Sequence, residues 1–160
     1  MNVYLLYIIF WSLIGCALFF TLVVAFFRIG LVYTARRPDG TLKDEIPLSG
    51  KLTMLIVPIS FFIFQLLSNY LGLVQQEIFL DTERLFFINY AVYLILFLFD
   101  TLFIDWYVLS IWRPAFLQIP DEMGKESMKK HIPISIPIGF VIGAVLTLIS
   151  TTTSYFLWMI

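Results

Sequence analysis

"FLFDTLFIDWYVLSIWRP", residues 97–114, sets two aspartates, Asp100 and Asp105, inside an apolar run long enough to cross a bilayer. The reading of that run decides the fold. Three further apolar stretches accompany it, and the four cover about residues 3–27, 52–74, 85–111 and 131–160. Each meets or exceeds the roughly 20 residues that a helix needs to cross a hydrocarbon core of about 30 Å. A chain in lipid must satisfy its backbone polar groups internally, so such spans are helices. The expected fold is all-α: a single transmembrane domain over 1–160, with four spanning helices and two cytoplasmic loops, 28–51 and 112–130.

Composition points the same way. Apolar residues make up 61% of the chain and charged residues 13%, against about 45–50% and about 25% in soluble domains. A net charge of −1 gives no overall sign of a nucleic-acid or acidic partner. The single cysteine, Cys16, excludes an internal disulfide framework. In its apolar setting it is a small packing residue. The first stretch lacks the basic n-region of a signal peptide and exceeds the usual apolar length of about 7–15 residues. "LIGC" at 13–16 resembles a lipoprotein cleavage box, but no Lys or Arg precedes it and "ALFFTLVVAFF" continues apolar.

Basic residues are lopsided. Arg28, Arg36, Arg37, Lys43 and Lys51 lie in or beside the first connection, and Arg113, Lys125, Lys129 and Lys130 in the third; only Arg84 lies in the second. Positive loops stay cytoplasmic, so both termini are expected outside. In the first connection Pro38-Asp39-Gly40 signals a turn, compatible with a small hairpin or a solvated loop. The third opens with "WRPAFLQIP", whose prolines stop the helix and whose Trp112, Phe116 and Leu117 suit an interface.

The aspartates are the chemically informative feature. On an α-helix turning about 100° per residue, Asn89, Tyr93, Asp100 and Tyr107 share one stripe, and Asp105 lies about 140° away from Asp100, beside Thr101. The two carboxyls are therefore not expected to pair. By depth at about 1.5 Å per residue, Pro58 and Pro137 fall near the level of Asp105, and Gln65 and Gly143 nearer that of Asp100. Pro58, Gln65, Ser68, Asn69 and Gly72 form a small and polar helix face. The expectation is a polar pocket in the cytoplasmic half, lined by Asp105, Asp100, Pro58, Gln65 and Pro137, where the prolines free the carbonyls of Met54 and Pro133. The competing reading is structural: neutral carboxyls donating single hydrogen bonds, Asp100 to Gln65 or Tyr93 and Asp105 to Thr101, glue helices together. Arg28, whose side chain tilts back into the membrane, is a candidate partner for Asp105. The binding or proton-site candidates are thus Asp100, Asp105, Gln65, Asn69, Tyr93 and Arg28.

On the fourth stretch Gly139 and Gly143 form GxxxG, a pattern for close helix packing. "STTTS" at 150–154 can bond back to its own helix carbonyls. With one histidine, His131, at a helix boundary, no zinc site is expected, and no cofactor either.

Three function classes follow. Acids without charged partners in the chain, short loops and the lack of a soluble domain favour an interaction or accessory component, a homo-oligomer or a subunit beside other membrane subunits. Intramembrane acids also serve proton or cation relays, which makes a small coupled transporter the alternative. A lipid-modifying enzyme comes third, because an aspartate dyad needs its carboxyls close together. "DTLFIDWYVLSIWRPAFLQIP", residues 100–120, resembles a segment of small bacterial membrane proteins of four helices. That resemblance implies a bacterial inner membrane and no activity.

Overall fold

The computed structural model describes residues 3–29, 31, 44, 45, 47–119 and 125–159, with the backbone alone at 125–128, 130, 131 and 159. Four long helices account for most of it: α1 (Val3–Arg28), α2 (Leu48–Gly72), α3 (Thr82–Leu98) and α4 (Lys125–Ser154). Helix α3 continues without a break as a π-helix over Phe99–Trp112, and α4 ends in a π turn over Tyr155–Met159. There is no strand among the described residues. All four helices are long and apolar enough to cross a membrane, with mean hydropathy from 1.8 to 2.5. The possible hairpin around Pro38-Asp39-Gly40 lies outside the described residues.

Polar residues lengthen the helices beyond their apolar stretches. Helix α2 begins directly after Pro47, taking in Ser49 and Lys51. Helix α4 begins at Lys125, because "KESMKK" consists largely of good helix formers. His131 therefore lies inside the α4 backbone and not at its boundary. Asp81 caps α3: its carboxylate accepts from Arg84 N at 2.8 Å. At the opposite end, Arg113 takes a left-handed conformation (φ 43°) and donates its N–H to Val108 O at 2.8 Å, which closes the π-helix before Pro114. Thr53 Oγ1 donates to Leu31 O at 2.6 Å, tying the start of α2 to the chain just beyond α1.

Helices α3 and α4 pack extensively, as do α1 with α3 and α2 with α4, whereas α1 and α2 touch sparsely. Cross-bundle hydrogen bonds give the directions. Gln65 meets Ser150 and Asn69 meets Ser154, so α2 and α4 run parallel. Asn89 meets Thr151 while Tyr93 meets Gly139, so α3 and α4 run antiparallel. One apolar cluster centres on Leu73, Leu85 and Val92, with Tyr7 from α1. A second joins Ile104, Val108 and Leu109 of the π-helix to Leu117. Leu117 is thus a core residue, 2% exposed, and not an interface residue like Trp112 and Phe116. The outward surface is lined with large apolar side chains such as Leu13, Leu55, Phe87 and Val141, each more than half exposed. A water-facing domain does not present so continuous an apolar exterior.

Candidate functional site

The polar residues of the bundle separate into two zones. The first is a hydrogen-bonded seam toward the start of α1 and the end of α4. Tyr7 Oη donates to Asn69 Oδ1 at 2.9 Å, and Asn69 Nδ2 donates to Ser154 Oγ at 2.9 Å. One turn away Gln65 Nε2 donates to Asn89 O at 3.0 Å while Gln65 Oε1 accepts from Ser150 Oγ. Asn89 Nδ2 in turn donates to Thr151 Oγ1 at 3.0 Å. Gln65, Asn69, Asn89, Ser150, Thr151 and Ser154 are all buried. Every helix contributes, and the amide groups are well used. In an apolar surround a buried amide without partners is costly, so a satisfied seam of this kind fixes helix register. Gln65 and Asn69, expected in or near a ligand site, are therefore tied into internal hydrogen bonds. Residues 150–154 bond across the bundle to α2 and α3 as well as back along their own helix, where Ser150 Oγ donates to Thr147 O at 3.0 Å and Thr153 Oγ1 to Ile149 O at 2.8 Å.

The second zone holds the carboxyls, and here the winding of the helix changes the geometry. An α-helix bonds each N–H four residues back; a π-helix bonds five back, so residues four and five apart come to lie one turn from each other. The π-helix spans 14 residues and includes both Asp100 and Asp105. The α-helical expectation of about 140° between them therefore fails. Five residues apart in a π ladder, the two carboxyls fall on the same side one turn apart. The same change of winding breaks the expected stripe. Asn89 and Tyr93 point into the bundle, but Tyr107 turns outward and stacks on Phe103 at 5.7 Å. Runs of π-helix are rare and concentrate at functional positions.

Both carboxyls are half-buried. Among the described residues neither receives a hydrogen bond or an ion pair. Tyr93 donates its hydroxyl to Gly139 O at 2.8 Å, and Gln65 is engaged in the seam, so neither acts as the expected partner of Asp100. Arg28 is exposed and makes no ion pair with Asp105. Pro137 is exposed on α4 and does not line the space that Asp100 faces.

Asp100 instead faces a cleft of about 370 Å³ walled by all four helices. Pro58, Phe61 and Phe64 of α2 form one wall, and Gly15, Leu18 and Phe19 of α1 the other. Tyr93, Phe97 and Asp100 supply the floor. Leu18 is 57% exposed, so the cleft opens to the exterior between α1 and α2, where packing is sparse. Its rings are held by one another: Phe61 meets Tyr93 edge-on at 5.0 Å, and Tyr93 stacks on Phe97 at 6.0 Å. With the Tyr93 hydroxyl committed to Gly139, the polar side-chain groups left facing the space are the Asp100 carboxyl and the Ser60 hydroxyl. Asp105 and Gln65 are not in its lining. Among the described residues no three His, Cys, Asp or Glu side chains gather as a metal-holding group.

Gly139 and Gly143 serve packing inside the chain. A Cβ at Gly143 would lie 1.8 Å from Tyr93 Cε1, and one at Gly139 2.3 Å from Phe97 Cε2. The GxxxG face therefore admits the aromatic rings of α3, and those rings form the floor of the cleft. Phe61 and Phe64 are the cleft residues that periodicity alone did not single out, and Asn89, placed on the Tyr93 stripe, was not among the site candidates. Asn89 carried a usable signal, as an amide on the Tyr93 face of an apolar helix. The phenylalanines carried none, being among 17 in the chain. No family model matches this chain, and no curated protein or solved structure matches it either.

Proposed function

We propose that this chain is a multi-pass protein of the cell membrane, a bacterial inner membrane by the resemblance of residues 100–120, with both termini outward. Nine of ten Lys and Arg residues in or beside the first and third connections support that orientation. Within the membrane it works as an interaction component, assembling with copies of itself or with other membrane subunits around the site at Asp100.

The observation that carries this reading is Asp100 itself. It sits midway along the 31-residue span Thr82–Trp112, opens onto a cleft, and has no partner among the described residues. Acids at membrane depth are costly and are kept where they meet a partner or a pathway. Apart from Ser60 and Tyr93 the remaining lining is apolar and holds no basic group, which favours a partner on another subunit. Native mass spectrometry of wild type and Asp100→Asn, each purified in mild detergent, tests this. Loss of a defined oligomer or of a co-purified subunit in the variant supports the reading, and identical assembly of both proteins overturns it.

One observation favours a second reading, proton- or cation-coupled transport: the two carboxyls lie one turn apart on the same side of the π-helix, an arrangement that can share protons. Flux of ions or solutes into proteoliposomes, abolished by Asp100→Asn, would support it. A lipid-modifying aspartate dyad gains from the same proximity, but Asp105 does not reach the cleft where a substrate would enter.

A further inference from the structure

We infer that the cleft between α1 and α2 is a binding site for a small lipophilic monocation, with Asp100 as its counter-charge. The inference rests on the placement of the chain in a membrane and on Asp100 as its recognition group, and it names the chemistry of the guest.

Size comes first. At about 370 Å³ the cleft falls within the range of small-molecule sites, about 300–1,000 Å³. It runs only from Gly15 to Leu22 on α1 and from Val57 to Phe64 on α2. Seven residues of helix rise about 10 Å, which suits a compact guest and is too short a track for a docked helix.

Charge comes second. The lining holds one acid and no Lys, Arg or His. An anionic guest gains nothing beside an acid, and a neutral guest without a hydrogen-bond donor leaves the carboxyl unpaired in an apolar space. A single positive charge matches.

The walls decide between kinds of cation. A hard metal ion requires six or more oxygens or retained waters, whereas this lining offers one carboxyl and the Ser60 hydroxyl. Phe61, Phe64, Tyr93 and Phe97 instead suit an organic cation, whose apolar body fills the space and whose charge is attracted to aromatic faces. Depth excludes a phospholipid amine: Asp100 lies twelve residues before Trp112, the end of the span, and a headgroup would have to be drawn into hydrocarbon to reach it. Entry is lateral, past Leu18, from the apolar phase in which such cations concentrate.

Tetraphenylphosphonium is a suitable probe, because its charge is fixed and shielded by aryl groups. Triphenylphosphine oxide is its neutral counterpart. Equilibrium binding of labelled tetraphenylphosphonium to the purified full chain in maltoside detergent should be saturable at one per chain, and the oxide should not displace it. Asp100→Asn should weaken binding at least tenfold. Leu18→Trp, at an outward position where bulk does not disturb packing, should plug the opening and abolish it. No saturable binding by folded wild type, equal binding by Asp100→Asn, or undiminished binding by Leu18→Trp each overturns the inference. Native mass spectrometry of the same samples separates it from the interaction reading. Assembly that depends on Asp100 with no cation binding overturns the ligand alone. Cation binding that depends on Asp100 with unchanged assembly supports the ligand and removes the interaction reading.

Discussion

Replacement of Gly143 by alanine tests how the floor of the cleft is built. The new Cβ would stand 1.8 Å from Tyr93 Cε1 where ordinary contact begins near 3.4 Å, so the ring has to retreat by the difference, 1.6 Å. It has little freedom to do so. It stacks on Tyr90 at 6.1 Å and on Phe97 at 6.0 Å, meets Phe61 at 5.0 Å, and donates to Gly139 O at 2.8 Å. A retreat of that size breaks the hydrogen bond, worth about 0.6 and at most about 1.7 kcal/mol inside a membrane bundle. Overpacking adds about 1–3 kcal/mol. Alanine recovers about 0.8–1.0 kcal/mol through its better helix propensity. Sterics therefore win, with a net destabilisation of about 0.6–4 kcal/mol. Reversible unfolding in mixed micelles titrated with dodecyl sulfate, followed by far-ultraviolet circular dichroism, measures it. In a Tyr93→Ala background the obstructing ring is gone, and the same substitution should cost less by at least about 1 kcal/mol, a coupling typical of residues in contact. Val141→Ala, at a position 65% exposed, is the control. A wild-type-like Gly143→Ala, or an equal cost with and without the Tyr93 ring, would refute the account of how α3 and α4 interlock.

Three further outcomes are expected. Gln65→Ala removes the bonds to Asn89 O and Ser150 Oγ and should destabilise the bundle by about 1–3 kcal/mol in the same unfolding assay, against no change if the seam is ornamental. Histidines placed together at 100 and 105 should chelate Ni²⁺ at least tenfold more tightly than either alone, because a π ladder brings positions five apart within a turn; no gain over the single variants would show an α-helical winding instead. Arg28→Gln should leave stability within about 0.5 kcal/mol of wild type, and exchanging the charges at 28 and 105 should restore nothing, since no ion pair joins the two positions.

The polar residues of this chain show why helical periodicity reached some of the site and missed the rest. Asp100 and Tyr93 stand out in sequence because an acid and a tyrosine at helical spacing are conspicuous among apolar neighbours. Their joint presence in the cleft follows from α3 being regular as far as Leu98. Asp105 and Tyr107 were misplaced because 100° per residue stops applying at Phe99. Nothing in "FDTLFIDWYVLSIW" announces a five-back hydrogen-bond ladder, since backbone winding has no side-chain signature. Lys51 and "KESMKK" are helical too, so the apolar edges do not mark where α2 and α4 begin.

By itself, then, the sequence determined four helices long and apolar enough to cross a membrane and the presence of acids within one of them. These are properties of local hydrophobicity and length, which each segment carries alone. Which polar groups satisfy one another, and which stay unpaired, was decided only by the tertiary structure. Gln65 and Asn69 reach Ser150 and Ser154 because α2 runs parallel to α4. Asp100 reaches open space because α1 and α2 diverge and because glycines on α4 let the α3 rings pack down beneath it. Those outcomes depend on the packing of helices whose surfaces are nearly uniform in polarity, so no single segment encodes them.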